Sequence, residues 1–218
     1  MFPLPLHIYF EIAALFTSVL FWRSHANTWL RWFFPFLLFI VTVELTARYL
    51  THELKQPNAW IFGLSIPFEY LFYSLIFYGL YQQRFLKKAT LLFMLLFFAY
   101  CGYSAIFVTG LRIFDMNILV IANLAMLVMS MFFFFELYAS TDNIPLFRNP
   151  WFWIVSGIFL FNAGELSYNM LSMLVIDEGF DSTLKIFRQI NNNLILVLYS
   201  CYIIGFVCQK TLGTYTKD

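Results

Sequence analysis

Glu165 is the residue whose position most strongly suggests chemistry, because it lies inside a long apolar segment. That segment runs from Trp151 to Val175. A carboxylate in the middle of a membrane span costs roughly 2.5 to 3.5 kcal/mol, and such groups usually face a bundle interior or a water-filled cavity. Asn162, Glu165 and Asn169 have the spacing i, i+3, i+7, which places them on one face of a helix. The stretch therefore predicts one polar wall of a site inside a helix bundle.

Three other apolar segments each carry a glutamate at a similar depth. At a rise of about 1.5 Å per residue, Glu11, Glu44, Glu69 and Glu165 all lie roughly 8 to 15 Å from the same side. Successive helices alternate in direction, so this match holds for either orientation of the protein. Together with nearby polar side chains they form the predicted ligand-binding set. Its members are Glu11, Glu44, Arg48, Glu69, Asn162, Glu165, Asn169 and Asn192.

The predicted site holds more carboxylates than cations. Glu44 and Arg48 are spaced i, i+4 and could form an ion pair on one helical face, but that pair leaves the other three carboxylates uncompensated. This excess of negative charge can be accommodated in three ways: some carboxylates are protonated, a cation is bound, or water fills the space between them. All three are more typical of a functional cavity than of packing. We therefore expect a polar cavity, lined by carboxylates and asparagines and open to the outer side.

The motifs of the common cofactor and metal sites are missing from the sequence. His7 and His52 lie near Glu11 and Glu44, but no HxxxH or HExxH spacing supports a zinc site. No phosphate-binding loop, dinucleotide fingerprint or nucleophilic serine elbow occurs. We expect neither a metal nor a cofactor.

Composition places the chain in a membrane. Of its 218 residues, 61% are hydrophobic and 11% are charged, and the mean hydropathy is +0.76. Soluble domains carry about 25% charged residues. The formal net charge of +1 offers no electrostatic footprint for nucleic acid, which we exclude as a partner. We expect an integral membrane protein with a single domain, residues 1–218, whose surroundings are the lipid bilayer.

Seven apolar segments have the length needed to cross the hydrocarbon core. They are Leu6 to Trp22, Trp29 to Leu50, Trp60 to Tyr81, Lys88 to Thr109, Met116 to Tyr138, Trp151 to Val175, and Ile186 to Gln209. The connections between them are short. The sequence thus predicts an all-α seven-transmembrane-helix bundle. The dipeptide Asn149-Pro150 predicts a helix start, with asparagine as the cap and proline in the first turn.

The distribution of lysine and arginine predicts the orientation. With the amino terminus outside, eight of the 13 basic residues fall on the inner side, and Arg84, Lys87 and Lys88 form the clearest cluster. We expect the amino terminus outside and the carboxyl terminus in the cytoplasm of a multi-pass plasma-membrane protein, by default in a bacterial inner membrane. The first segment is predicted to be a retained span, since it contains Glu11 and lacks the basic start of a signal peptide.

Three functions fit these features. The favoured one is a receptor-like sensor that binds a small polar or cationic ligand and signals through a cytoplasmic or membrane partner. The second is an intramembrane enzyme acting on a lipid headgroup, with Glu165 or Glu69 as general acid or base. The third is a proton-coupled transporter. The polar groups stop at mid-span, so the sequence shows no polar path through the inner half of the membrane, which argues against this function.

Overall fold

The computed structural model describes residues 5–22, 28–108, 115–140, 145–175 and 181–215, apart from the side chains of residues 59, 171–175, 181–188, 191 and 212–215. Over this part of the chain the prediction of an all-helical protein is confirmed. The α-helices described are α1 (Leu6–Leu20), α2 (Phe33–His52), α3 (Ala59–Leu80), α4 (Arg84–Tyr103), α5 (Met116–Ala139), α6 (Pro150–Val175) and α7 (Asp181–Tyr215).

Shorter helical elements and caps shape the ends of these helices. A 3₁₀ turn, Trp29–Trp32, leads into α2, and a π-helical segment, Ser104–Val108, follows α4. The start predicted for α6 is confirmed, because Pro150 is its first residue and the backbone N–H of Trp151 donates to Oδ1 of Asn149 at 2.9 Å. Proline has no N–H to leave unpaired there, which suits the first turn of a helix.

Several of the helices have the dimensions of membrane spans. Within the described residues, five segments are long and apolar enough to cross a bilayer, namely Trp29–His52, Trp60–Leu80, Arg84–Val108, Met116–Ala139 and Asn192–Thr211. Helix α1 is also apolar but has only 15 residues. These features are compatible with a multi-pass membrane protein.

Six of the helices form a closed ring. Going round it, α1 packs on α2, α2 on α3, α3 on α5, α5 on α6, α6 on α7, and α7 on α1. Helix α4 lies outside the ring, against α3 and α5. The ring surrounds the core and leaves a central position that every helix except α4 can reach.

Small residues bring α6 and α7 close together. A Cβ atom at Gly157 would lie 2.8 Å from Cβ of Cys201, and one at Gly164 would lie 1.9 Å from Cδ1 of Leu194. Glycines at such positions let two membrane helices approach until their backbones nearly touch. Helix α6, which carries Glu165, is thereby fixed against α7.

The bundle has two chemically different ends, named here for their main features. The cavity end is where α2 ends and α3 begins, and the basic end is where α3 ends and α4 begins. At the basic end the carboxylate of Glu136 on α5 accepts hydrogen bonds from the backbone N–H groups of Gln82 and Gln83, both at 3.0 Å. It thereby satisfies free donors at the start of α4, where negative charge is also favourable for the helix dipole.

At the cavity end Asp115 ties the segment after α4 to α5. Its carboxylate accepts hydrogen bonds from Ser104 Oγ at 2.7 Å, from Tyr100 Oη at 3.1 Å, and from the backbone and side-chain nitrogens of Asn117 at 3.0 and 2.9 Å. Burial alone would raise the pKa of Asp115, but these donors outweigh it and hold the pKa below its ordinary value. Asp115 is thus a carboxylate with a structural role.

Candidate functional site

A cavity of about 170 Å³ lies at the centre of the ring, towards the cavity end. All six ring helices contribute to its wall, and α4 does not. The four glutamates singled out from the sequence, Glu11, Glu44, Glu69 and Glu165, all line it. We call this space the carboxylate cavity. Because one water molecule occupies about 30 Å³ in the liquid, several waters or one small molecule would fill it.

Helix α3 supplies the largest share of the wall. Its lining residues are Phe62, Ser65, Ile66, Glu69 and Tyr70. Their spacing follows i, i+3, i+4, i+7, i+8, which is one continuous face of a helix. The helix runs unbroken through Pro67. Glu69 is therefore one of five side chains on a single helical face that lines the cavity.

Glu11 is the most deeply buried of the four carboxylates. Its side chain is 3% exposed, and its Oε2 atom has no hydrogen-bond partner among the described residues. Glu44, Glu69 and Glu165 are half-buried. A buried carboxylate oxygen without a partner is costly, so an unpaired oxygen at a cavity wall indicates a place for a donor or a cation.

Four buried tyrosines surround the carboxylates, and the sequence reasoning did not identify them. Tyr73 donates to Oε1 of Glu69 at 3.2 Å, and Tyr202 donates to the hydroxyl oxygen of Tyr73 at 2.9 Å. Tyr70 and Tyr199 line the cavity directly. The two pairs, Tyr70 with Tyr73 and Tyr199 with Tyr202, share the spacing i, i+3. That repeated spacing was the signal available in the sequence.

Tyr70 also joins two helices of the ring. Its hydroxyl donates to Oδ1 of Asn123, which lies fully buried on α5. Asn123 does not line the cavity itself. It lies at the depth of the carboxylates because it accepts this hydrogen bond from Tyr70, which does line the cavity. It holds the α3 side of the wall in place.

Below the cavity, towards the basic end, the ring is filled by aromatic side chains. We call this layer the aromatic floor, and it consists of Phe33, Phe36, Phe72, Tyr202 and Phe206. The ring centroid of Phe33 lies 5.2 Å from those of Phe72 and Tyr202 and 5.6 Å from that of Phe206. Such edge-to-face distances are favourable for aromatic pairs. The floor closes the polar region on that side.

The other predicted site residues lie away from the cavity wall. Asn162 is buried and donates from Nδ2 to the carbonyl oxygen of Ile158 at 2.7 Å, one turn earlier on α6. Asn169 is also buried, and Arg48 is half-buried within electrostatic range of His7. None of these three lines the cavity. The face of α6 that does so carries Glu165 and Phe161 instead.

Asn192 is exposed rather than turned into the cavity. The lining residues of α7 begin at Ile195. Asn192 precedes Ile195 by three residues, so it lies about one helical turn nearer the start of α7 than the cavity wall.

The carboxylates surround the cavity without converging on a single point. Among the described residues, no three histidine, cysteine, aspartate or glutamate side chains lie close enough to hold a metal ion together. The described wall contains no lysine, arginine or histidine. Its remaining members are apolar side chains, one serine and two tyrosines. The wall of such a cavity offers hydrogen-bond acceptors and negative charge to a cationic group larger than a metal ion.

Comparison of the chain with protein-family models, with curated proteins and with solved structures gave no significant match.

Proposed function

We propose that the chain is a receptor-like membrane protein whose carboxylate cavity binds a small organic cation and passes the resulting helix movement to a partner protein. One observation carries this proposal. Four carboxylates, on α1, α2, α3 and α6, line one cavity whose described wall holds no basic side chain. The connections between the helices are short, so the response is read by another protein.

Size and wall chemistry support an ammonium ion as the ligand. The cavity is smaller than the roughly 300 to 1,000 Å³ of sites for drug-sized molecules. The aromatic side chains of Tyr70, Phe161 and Tyr199 accompany the carboxylates in the wall. Aromatic rings attract quaternary and other ammonium groups through their negative faces. The unpaired Oε2 of Glu11 supplies a further acceptor.

The one-sided placement of the polar groups supports binding rather than passage. The carboxylates lie towards the cavity end, whereas Phe33 and Phe206 at the floor are fully buried. A transporter needs a polar path on both sides of its site in turn. A closed aromatic layer instead suits a ligand that enters and leaves from the same side.

We also propose seven membrane crossings, with the amino terminus and the cavity outside and the carboxyl terminus in the cytoplasm. Arg31, Arg84, Lys87, Arg148 and Lys210 all lie at the basic end, as expected for an inner side. Helix α1, at about 22 Å, is shorter than the hydrocarbon core of about 30 Å, so it would cross with local thinning of the bilayer. A fluorescent protein fused to the carboxyl terminus should fluoresce; an alkaline phosphatase fused there should be inactive.

Removal of single charges tests the proposed site. We expect tetramethylammonium to raise the unfolding temperature of the purified protein in nanodiscs, since a ligand at 100 times its Kd stabilises by about 2.7 kcal/mol. Glu69→Gln and Glu165→Gln should abolish this rise while leaving insertion and folding intact. Glu53→Gln is the matched control, because Glu53 is exposed at the same end. Two results would contradict the proposal. One is full stabilisation of both cavity variants by tetramethylammonium, and the other is that no small ammonium ion stabilises the wild type.

Proton-coupled transport is the second candidate, and the hydroxyl chain from Tyr202 through Tyr73 to Glu69 favours it. A chain of this kind can pass a proton between the cavity and the floor. Proteoliposomes with an imposed pH gradient distinguish the two functions. Accumulation of tetramethylammonium that Tyr73→Phe abolishes would support transport and contradict the receptor.

A further inference from the structure

An apolar groove lies between α2 and α3 at the cavity end, on the outer surface of the bundle. Its volume is about 280 Å³, and its wall includes Phe39 and Thr46 of α2 and Trp60, Leu64 and Phe68 of α3. We call it the Trp60 groove. The side chains of Trp60, Leu64 and Phe68 are between 45% and 56% exposed. The groove is thus open along the surface that would face the bilayer.

The two threonines of the groove use their hydroxyl donors within their own helix. Oγ1 of Thr42 donates to the carbonyl oxygen of Leu38, and Oγ1 of Thr46 donates to that of Thr42, both at 2.7 Å. A hydroxyl that bonds back to the carbonyl one turn earlier has no donor left for a ligand. The groove therefore suits an alkyl chain better than a polar headgroup.

The groove adjoins the carboxylate cavity. Val43 of α2 and Ser65 of α3 line both spaces. Val43 directly precedes Glu44, and Ser65 lies about one turn before Glu69, so this boundary is next to two of the carboxylates. The hydroxyl of Ser65 donates to the carbonyl oxygen of Phe62 at 3.5 Å, which is longer than a usual O–H···O bond. Two small side chains, one of them weakly held, thus separate the groove from the cavity at this point.

The carboxylate cavity leaves a long ligand one apolar way out. At about 170 Å³ it has room for a headgroup, and the aromatic floor closes it towards the basic end. The Trp60 groove is the apolar space beside it. Phe39, at the inner end of the groove, also lines a larger groove of about 880 Å³ that continues along α2 and α3. A chain that enters the Trp60 groove therefore has an apolar path beyond it.

We propose that the cation bound in the carboxylate cavity is the headgroup of a single-chain alkylammonium amphiphile. Its chain passes between Val43 and Ser65 and lies in the Trp60 groove. Charge complementarity supports this occupant, because an anionic headgroup would be repelled by the carboxylates and a neutral one would bring no charge to balance them. The inference rests on the proposed function, since it names the class of cation that the cavity binds.

Thermal unfolding of the purified protein in nanodiscs, titrated with tetramethylammonium or decyltrimethylammonium, tests the inference. The concentration that raises the unfolding temperature by a fixed amount scales with the Kd. In the wild type it should be about tenfold lower for decyltrimethylammonium, because burial of methylene groups adds to the binding of the same headgroup. Thr46→Trp fills the groove at a residue outside the cavity wall. It should raise the value for decyltrimethylammonium about tenfold and leave that for tetramethylammonium unchanged.

Two further variants frame this result. Leu64→Trp, which fills the groove from α3, should behave as Thr46→Trp does. Leu45→Trp is the matched control, because Leu45 is 40% exposed on the same helix as Thr46 and lines neither space. It should keep both wild-type values, since partition of the amphiphile into the bilayer is the same for every variant. Decyl glucoside, a neutral amphiphile with the same chain, should not stabilise the wild type.

The outcomes separate this inference from the proposed function. If decyltrimethylammonium keeps its advantage in both groove variants while Glu69→Gln still abolishes stabilisation by tetramethylammonium, the chain lies elsewhere and only this inference fails. An equal loss in Leu45→Trp, or equal stabilisation by decyl glucoside, would also overturn it. So would a dimer of the chain that Thr46→Trp dissociates, because a second copy would then occupy the groove. If neither cation stabilises the wild type, the proposed function fails and this inference with it.

Discussion

The two ends of the bundle use aromatic side chains in opposite ways. At the cavity end, the buried tyrosines place their hydroxyl groups among carboxylates, as Tyr73 does with Glu69. At the basic end, Phe33 and Phe206 have no polar atom and are fully buried against each other and their neighbours. The first arrangement keeps polar groups available inside the protein, whereas the second excludes them.

The same helices build both ends, so the difference is encoded within single helical faces. On α2, Phe33 precedes Glu44 by 11 residues, which is about three turns and returns to the same face. On α7, Tyr199 lines the cavity and Phe206 belongs to the floor. Stability and binding are therefore expected to reside in separate layers of the bundle. Substitutions in one layer should leave the property of the other nearly intact.

The largest effect is expected in the floor. Phe33→Ala should lower the free energy of unfolding by about 3 to 5 kcal/mol, because a fully buried aromatic ring is replaced by a cavity. Phe135→Ala removes a ring that is 65% exposed and should cost far less. Thermal unfolding in nanodiscs measures both. Equal losses in the two variants would contradict the assignment of stability to the floor.

A smaller effect is expected where the two layers meet. Tyr73→Phe removes the donor to Glu69 and the acceptor of Tyr202, and should cost about 1 to 3 kcal/mol because buried partners are left unpaired. Tyr202→Phe should cost less, since Tyr73 keeps its bond to Glu69. In a double-mutant cycle monitored by thermal unfolding, the double variant should be no less stable than Tyr73→Phe. Strict additivity would show that the hydroxyl chain does not act as a unit.

The smallest effect is expected for Asp115, at the cavity end. Its carboxylate accepts four hydrogen bonds, whereas Oε2 of Glu11 has no hydrogen-bond partner among the described residues. Asp115→Asn should cost about 1 kcal/mol at neutral pH, because Oδ2 no longer accepts from Ser104 and Tyr100. The folded pKa of Asp115 lies below 3.8, so its contribution is complete above that pH and is lost as the pH falls through the lowered pKa.

Unfolding temperatures of the wild type and Asp115→Asn, compared from about pH 7 down to pH 3, measure this contribution. The difference between them should shrink only at the acidic end of the range. Tetramethylammonium binding should be the same in both proteins at neutral pH. A difference that shrinks on raising the pH would contradict the assigned direction.

Much of the helical framework could be predicted because membrane spans leave long apolar runs in the sequence. The predicted starts at Leu6 and Met116 agree with the starts of α1 and α5. The start of α6 at Pro150 followed from its cap. The common depth of the four glutamates also followed from counting residues along each span. Ligand binding by the predicted set stays a prediction.

The remaining features depend on rotation and packing, which residue counting does not determine. Depth alone did not separate Asn162, whose amide bonds back to its own helix, from Glu165, which lines the cavity. Asn192 is exposed and lies about one turn nearer the start of α7 than Ile195, the first residue of that helix in the cavity wall. The position of α4 outside the ring was not predicted either. The available signal was that α4 contains neither a carboxylate nor an amide side chain, whereas α5 carries Asn123 and α7 carries Asn193.

The stacked rings of Phe36 and Phe72 belong to the floor and also line the larger groove, of about 880 Å³, on the outside of α2 and α3. Phe36 in turn contacts Tyr73, with ring centroids 5.4 Å apart. A rearrangement around Glu69 is thus only two side chains away from the outer surface of the bundle. Coupling between two binding events is reciprocal by thermodynamic necessity. If occupancy of this groove alters the affinity of the cavity, occupancy of the cavity alters the affinity of the groove by the same factor. The surroundings of α2 and α3 would then tune the cavity.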